Sequence, residues 1–275
     1  MSKPTLYTFN LSVWSAVADI ARVELKLTDK IDAKDVNIRE GEDISPDFIK
    51  ISRNATLPAL HVDGKTYGTT IECIEYMVKV SGTKVAPAPD LTTKIHDDSL
   101  DPNFMLLAAS NDAELSAKAN GPPRTFVSTR LDKMREYAAS TEGASFKSFY
   151  EKRIQGLAGV LAVYDGTAPA EAKKAFFAKS QANHDAARAF ILETLPAAIS
   201  SGPFVAGAEQ GVDDFHVAGW LARVATCAGA KHVDEGLAKI GERIGEEVPG
   251  EVRVLWEAWT GREGWKRTYP DGALH

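Results

Sequence analysis

The pentapeptide Thr56-Leu57-Pro58-Ala59-Leu60 sets a proline at the start of a run that reads as an internal β-strand. Proline brings no N–H to a ladder and is confined to edges, first positions and bulges of sheets. Two readings reconcile these facts. A cis Leu57-Pro58 peptide turns the preceding main chain outward and offers the Leu57 N–H and C=O to an extended peptide ligand; alternatively, the strand is an ordinary edge. Other reactive residue types show less. The histidines at 61, 96, 184, 216, 232 and 275 lack metal-ligand spacing, and Cys73 and Cys227 are too few for a disulfide framework or a zinc site, so no metal is expected. Asp97-Asp98 falls in a predicted helix as a solvated pair, and Cys73 falls on the apolar side of another. No Gly-rich dinucleotide fingerprint, phosphate loop or Gly-x-Ser-x-Gly elbow occurs.

The elements that must position Leu57 alternate in type over the first 82 residues. Thr5 to Phe9 reads as a strand, 15–27 as a partly buried helix, and Asp35-Val36-Asn37-Ile38 as a second strand. Ser45-Pro46 opens a short helix with Ser45 as N-cap. Leu57 to Val62 is the third strand, turning at Asp63-Gly64 into Thr66-Tyr67. Thr69-Thr70 precedes a helix over 71–80, closed at Ser81-Gly82. The order is βαβαββα. Pro87-Ala88-Pro89 marks a stiff linker over 83–91. Residues 92–275 then read as all-helical, with helices predicted over 93–119, 125–139, 148–164, 170–199, 213–229 and 233–245. Trp256, Trp259 and Trp265 read as packing.

The 275 residues suit two domains, and 44% apolar with 25% charged residues is an ordinary globular balance. Thirty-two basic residues against 38 acidic leave a net charge of −6, which argues against nucleic-acid or anionic-membrane partners. No run of about 18 apolar residues predicts a membrane span. The opening MSKPTLYTFN lacks the apolar core of a secretory signal, so a cytoplasmic location is expected.

The element order, Asn54-Ala55-Thr56-Leu57-Pro58-Ala59-Leu60, the helix after the hairpin, and Gly202-Pro203-Phe204-Val205-Ala206-Gly207 together resemble the glutathione transferase superfamily over nearly the whole chain, with a fungal-like long helical module. The resemblance implies a thioredoxin-like domain over 1–82 and an all-α domain over 92–275 that lines an electrophile pocket. It also implies a homodimer, and glutathione as co-substrate for conjugation to a small apolar electrophile. Aligned without gaps on Ser-type members, Ser12 takes the catalytic position, where its hydroxyl would stabilise the glutathione thiolate. Ser15 is the rival for that position, or the cap of the same helix, and a capping role is open for Ser12 too. Tyr7 reads as core.

Leu57, Pro58, Thr69 and Thr70 are the glutathione-binding positions that the resemblance carries over, with Thr70 offering a hydroxyl and the helix N-terminus to the γ-glutamyl carboxylate. Thr69 replaces the family's acid. A capping box of Thr69 with Glu72 is the alternative reading of the same residues. Glu42-Asp43-Ile44 stands where relatives carry cations, two acids that would repel an anionic ligand; Arg39, Lys50 and Arg53 are the nearby substitutes. Asp214 fills the acid position of a capping box whose hydroxyl residue is replaced by Gly211, a folding role. Residues 120–148 are a predicted insertion, either pocket lining through Phe126, Arg130, Phe146 and Tyr150 or extra surface helix. The competing function on this fold is a non-catalytic, ligandin-type or regulatory binding protein.

Overall fold

Leu6 and Thr8 face the buried side of the first strand, β1 (Thr5–Thr8), with Thr5 and Tyr7 on the other. The computed structural model describes residues 3–86, 90–199 and 201–275, so the expected linker Pro87-Ala88-Pro89 lies outside the described residues. Helix α1 (Val13–Glu24) buries Val13, Ala16, Val17, Ile20 and Ala21 along one stripe. Strand β2 (Asp32–Asp35) lies three residues before the expected Asp35–Ile38. All four of its side chains are exposed; it exists by parallel pairing with β1, from Thr5↔Asp32 to Thr8↔Asp35, so no apolar alternation marks it. Helix α2 (Pro46–Ile51) starts where Ser45 Oγ accepts from Phe48 N at 3.2 Å. Strand β3 (Ala59–Val62) runs antiparallel to β1 and to β4 (Lys65–Tyr67). Between them Asp63 (φ 45°) and Gly64 (φ 83°) form the left-handed pair that a two-residue hairpin turn needs. Helix α3 (Thr70–Ser81) ends at Gly82 in the left-handed conformation. The sheet order is β2-β1-β3-β4, and the chain order is the expected βαβαββα.

The helix expected over 93–119 is divided into α4 (Leu91–Ile95), α5 (Pro102–Leu107) and α6 (Asp112–Ala119), with a 3₁₀ turn at Asp98–Leu100. Side chains cause the breaks by taking backbone donors. Asp97 Oδ1 accepts from Ser99 N at 2.9 Å, Asp101 from Asn103 N at 2.9 Å, and Asn111 Oδ1 from Glu114 N at 2.9 Å. Asp97-Asp98 is therefore not a pair on a helix. Asp97 caps a turn, and the hydroxyl and N–H of Ser99 hold its carboxyl below the usual range. Helices α7 (Pro122–Ala139), α8 (Lys147–Tyr164), α11 (Val212–Cys227) and α12 (Gly236–Ile244) fall close to expectation; the helix expected over 170–199 is divided into α9 (Ala170–Ala189) and α10 (Leu195–Ala198), and α13 (Gly250–Thr260) and α14 (Glu263–Thr268) occupy the Trp-rich end, where no helix was predicted. A π-helical turn at Phe190–Thr194 joins α9 to α10, just ahead of Pro196, which brings no N–H to the ladder.

Two compact units form, each from several stretches of chain. One holds Met1–Asp35, Leu57–Met105 and Asn183–His275; the other holds Val36–Thr56 and Leu106–Ala182. In the first, α1 packs on α3, α11 and α14. A Cβ on Gly219 would meet Val17 Cγ2 at 2.5 Å and Val13 O at 3.2 Å, so glycine permits the approach of α11 to α1. Leu6, Ile20, Leu60, Cys73, Trp220 and Trp259 belong to this core, and burial pushes the Cys73 thiol up to about 12. In the second unit α7 packs on α8, around Ile44, Ile49, Met134 and Tyr150 at one place and Leu115, Val127 and Tyr164 at another.

Asp214 organises the start of α11. Its carboxylate accepts from Val205 N at 2.7 Å, Ala206 N at 3.3 Å and Gly211 N at 2.8 Å, while Gly211 has no oxygen to return the bond. Burial pushes this carboxyl up from 3.8 to about 6; the three N–H donors lower it only in part. The folded group thus holds its proton to higher pH than the unfolded one. The resulting stabilisation is complete below the unfolded value of 3.8 and is lost as pH rises through about 6. Asp214→Asn should remove this loss. Urea midpoints measured from pH 4 upward are expected to fall more steeply for the wild type than for the variant. A stability difference independent of pH would contradict the assignment.

Candidate functional site

Ser12 lies half-buried at the N-cap of α1, where its Oγ accepts from Ser15 N at 3.3 Å. Its own N–H donates to Phe9 O at 2.9 Å. No acid occupies the first turn of this 12-residue helix, so the positive end of its dipole is uncompensated locally. Ser15 is different: it is fully buried, and its Oγ accepts from Phe9 N at 3.3 Å. The capping role considered for Ser15 belongs to Ser12, and the Ser15 hydroxyl instead ties the end of β1 to α1.

The Leu57-Pro58 peptide is cis, as the first of the two readings held. Strand β3 begins at Ala59, so the Leu57 main chain stands ahead of the ladder. At the start of α3 the capping box is present. Thr69 Oγ1 accepts from Glu72 N at 3.2 Å, and Glu72 Oε2 accepts from Gly68 N at 3.0 Å, Thr69 N at 3.1 Å and Thr69 Oγ1 at 3.0 Å. The Gly68 and Thr69 N–H groups ahead of the helix are thus met by the chain's own carboxylate, and Thr70 is buried just inside.

A histidine pair that no sequence pattern marks lies in the same unit. His96 Nε2 is 3.0 Å from His216 Nδ1, and Trp14, in the first turn of α1, stacks on His96 with ring centroids 4.1 Å apart. Burial pushes His96 down to about 4 and His216 to about 3, so both rings are neutral at pH 7. The partners are 120 positions apart, which no local pattern reveals.

In the second unit, Arg39 is exposed and Lys50 pairs with Asp47 at 2.8 Å. The two acids expected to repel an anion are engaged internally. Asp43, 3% exposed, receives both arms of Arg130 at 3.0 and 2.6 Å, and Glu42 Oε2 accepts from Asn37 N at 2.7 Å. Arg130 and Tyr150 are engaged within this unit: Arg130 neutralises Asp43, and the buried Tyr150 hydroxyl donates to Ile44 O at 2.8 Å. Phe126 and Phe146 pack against the unit's own apolar clusters. Among the described residues no group of three or more His, Cys, Asp and Glu could hold a metal ion, and no helix is long and apolar enough to cross a membrane.

No protein-family model matches the chain, and no curated protein matches it in sequence. Solved structures do match in three dimensions. Poplar glutathione transferase F1 is 14% identical, with 98% of this chain and 97% of that one covered at a TM-score of 0.52. A Sulfitobacter glutathione transferase homologue with bound glutathione is 14% identical over 100% of both chains at 0.52. The chain has the glutathione transferase fold. A further structure of that fold, a Pseudomonas fluorescens glutathione transferase family member with two glutathione bound, is 11% identical over 97% of this chain and 92% of its own, also at 0.52. A thioredoxin-like first part followed by helices, the architecture expected above, is what the glutathione transferase fold comprises.

Two stability predictions follow from the site geometry. Ser12→Ala removes an N-cap and should cost about 1 kcal/mol. Ser15→Ala leaves the buried Phe9 N–H without its acceptor and should cost about 1–3 kcal/mol, the reverse of the order a Ser15 cap would give. Thermal melts of the two variants rank them. Arg130→Ala strands a buried Asp43 carboxylate and should cost about 3–5 kcal/mol in urea unfolding, whereas a change under about 1 kcal/mol would mean the pair is not the buried one described.

Proposed function

We propose that the chain is a glutathione transferase of the Ser type, which binds glutathione and adds its sulfur to a small apolar electrophile. The observation that carries this reading is the Ser12 hydroxyl, half-buried at the uncompensated N-terminus of α1. A thiol of pKa about 8.5 is mostly protonated at neutral pH, and a hydroxyl donor together with a helix N-terminus favours its thiolate. In this reading the thiol proton leaves to solvent and the thiolate sulfur bonds to the electrophilic carbon. On an aryl halide, halide departs with its bonding electrons. The Leu57 main chain pairs with the cysteinyl unit beside Pro58, and the Thr70 position at the start of α3 meets the γ-glutamyl end. No metal takes part. The domain division at 82 and 92, a homodimeric state and a cytoplasmic location belong to the same proposal.

The second reading is a binding protein without turnover, and Glu72 favours it. Its carboxylate already holds the Gly68 and Thr69 N–H groups that an incoming carboxylate would seek. Immobilised glutathione separates the readings when followed by conjugation to a generic aryl halide. Retention with turnover, and turnover reduced about tenfold to a hundredfold by Ser12→Ala with retention kept, is the expected result. Retention without turnover would favour the binding protein. No retention at millimolar glutathione would sink both.

A further inference from the structure

Arg223, in α11, is 4% exposed. Its guanidinium is met by main-chain oxygens: Nη2 donates to Leu11 O at 2.6 Å and Nε to His275 O at 3.3 Å. A buried cation is costly, and packing by itself would be served by an apolar side chain. Leu11 O belongs to the peptide whose nitrogen is that of Ser12. That peptide is therefore gripped at both ends, its C=O by Arg223 and its N–H by Phe9 O at 2.9 Å. Ser15 N at 3.3 Å then fixes the hydroxyl. Three contacts from three directions leave Ser12 little freedom.

The titratable groups near Arg223 are His275, Tyr269 and, through Tyr269, Asp19. His275 is pushed down to about 4, by burial first and Arg223 second, so its ring is neutral at pH 7. Tyr269, stacked on His275, is held protonated by burial despite Arg223. Asp19, on α1, acts on Tyr269 and is itself spent on the Thr8 hydroxyl at 2.6 Å, with burial raising it to about 6.

We propose that Arg223 is a positioning residue for the Ser12 hydroxyl, holding the Leu11-Ser12 peptide in the orientation that aims this hydroxyl at a bound thiolate. The proposal rests on the Ser12 reading above and names the residue through which α11 takes part in it. Lysine keeps the charge but not the fork that reaches two carbonyls at once, so Arg223→Lys isolates orientation from charge.

The test is the ultraviolet absorbance of bound glutathione thiolate against pH, with glutathione affinity and steady-state kinetics, for wild type, Ser12→Ala, Arg223→Lys and the double variant. Circular dichroism confirms folding. Arg223→Lys is expected to raise the bound thiol's pKa by about one unit, a tenfold loss of thiolate, and to lower kcat with the KM for glutathione nearly unchanged. The double variant should shift no further than Ser12→Ala alone, because Arg223 acts through Ser12. If Ser12→Ala raises the pKa and Arg223→Lys does not, the proposal falls and the Ser12 reading stands. Additive shifts would mean that Arg223 acts by its own route, which also overturns positioning. A wild type that binds no glutathione, or a Ser12→Ala without effect, defeats both. If Arg223→Lys does not fold, Arg223→Gln takes its place beside Ser12→Ala and the double variant, where a shift beyond that of Ser12→Ala alone overturns positioning.

Discussion

Two helices touch almost backbone to backbone where Gly219 of α11 faces Val13 and Val17 of α1, and the first unit is assembled around that approach. The turn of α1 that Gly219 meets follows directly on Ser12, so the same contact that lets the core close also sets where the N-cap hydroxyl stands. The rest of α11 supports the arrangement from its length. Asp214 gathers three N–H groups at its start, His216 meets His96, Trp220 donates to Leu100 O at 2.9 Å, and Arg223 reaches Leu11. A buried helix carrying two acids, a histidine and an arginine is tolerable only because nearly every one of these polar groups has a partner.

The acidic balance of the chain acquires a different meaning in three dimensions. Several carboxylates that look like free surface charge in the sequence are structural acceptors. Asp43 takes the Arg130 fork, Glu72 closes the start of α3, and Glu24, with its side chain 5% exposed, holds Arg262 Nε at 2.7 Å and Gly264 N at 2.7 Å. A net charge of −6 therefore overstates the field that an anionic ligand meets near these residues.

What the sequence disclosed divides along a physical line. Elements defined by their own residues were legible: β1 by its β-branched and aromatic residues, the Asp63-Gly64 hairpin by its turn chemistry, α2 by Ser45-Pro46, and the Thr69–Glu72 box by spacing. Elements defined by a distant partner were not. Strand β2 has no apolar residue but Ala33 and forms because β1 offers it a ladder. Asp43 and Arg130 are 87 positions apart, so the loop read as repulsive when it is neutralised. The cap could fall to Ser12 or Ser15 because both hydroxyls suit it, and the positions of the Ser15 and Phe9 N–H groups decide for Ser12. The fold was within reach because order and spacing carry it, whereas the site depends on pairings that no window along the chain contains.

The division of 91–119 into pieces bears on how the molecule assembles. Helices α4, α5 and α6 have 5, 6 and 8 residues, well under the ~12–15 at which an isolated helix begins to hold itself in water. Their order is lent by remote side chains: Asp213 receives Thr92 N at 2.9 Å, Asn183 donates to Ser99 O at 2.9 Å, and Ser180 Oγ accepts from Ala109 N at 3.2 Å. Each such contact closes a loop of many tens of residues, an entropic debt that local hairpins such as β3-β4 do not carry. These short helices thus hold their place through contacts with remote parts of the chain and not through their own length.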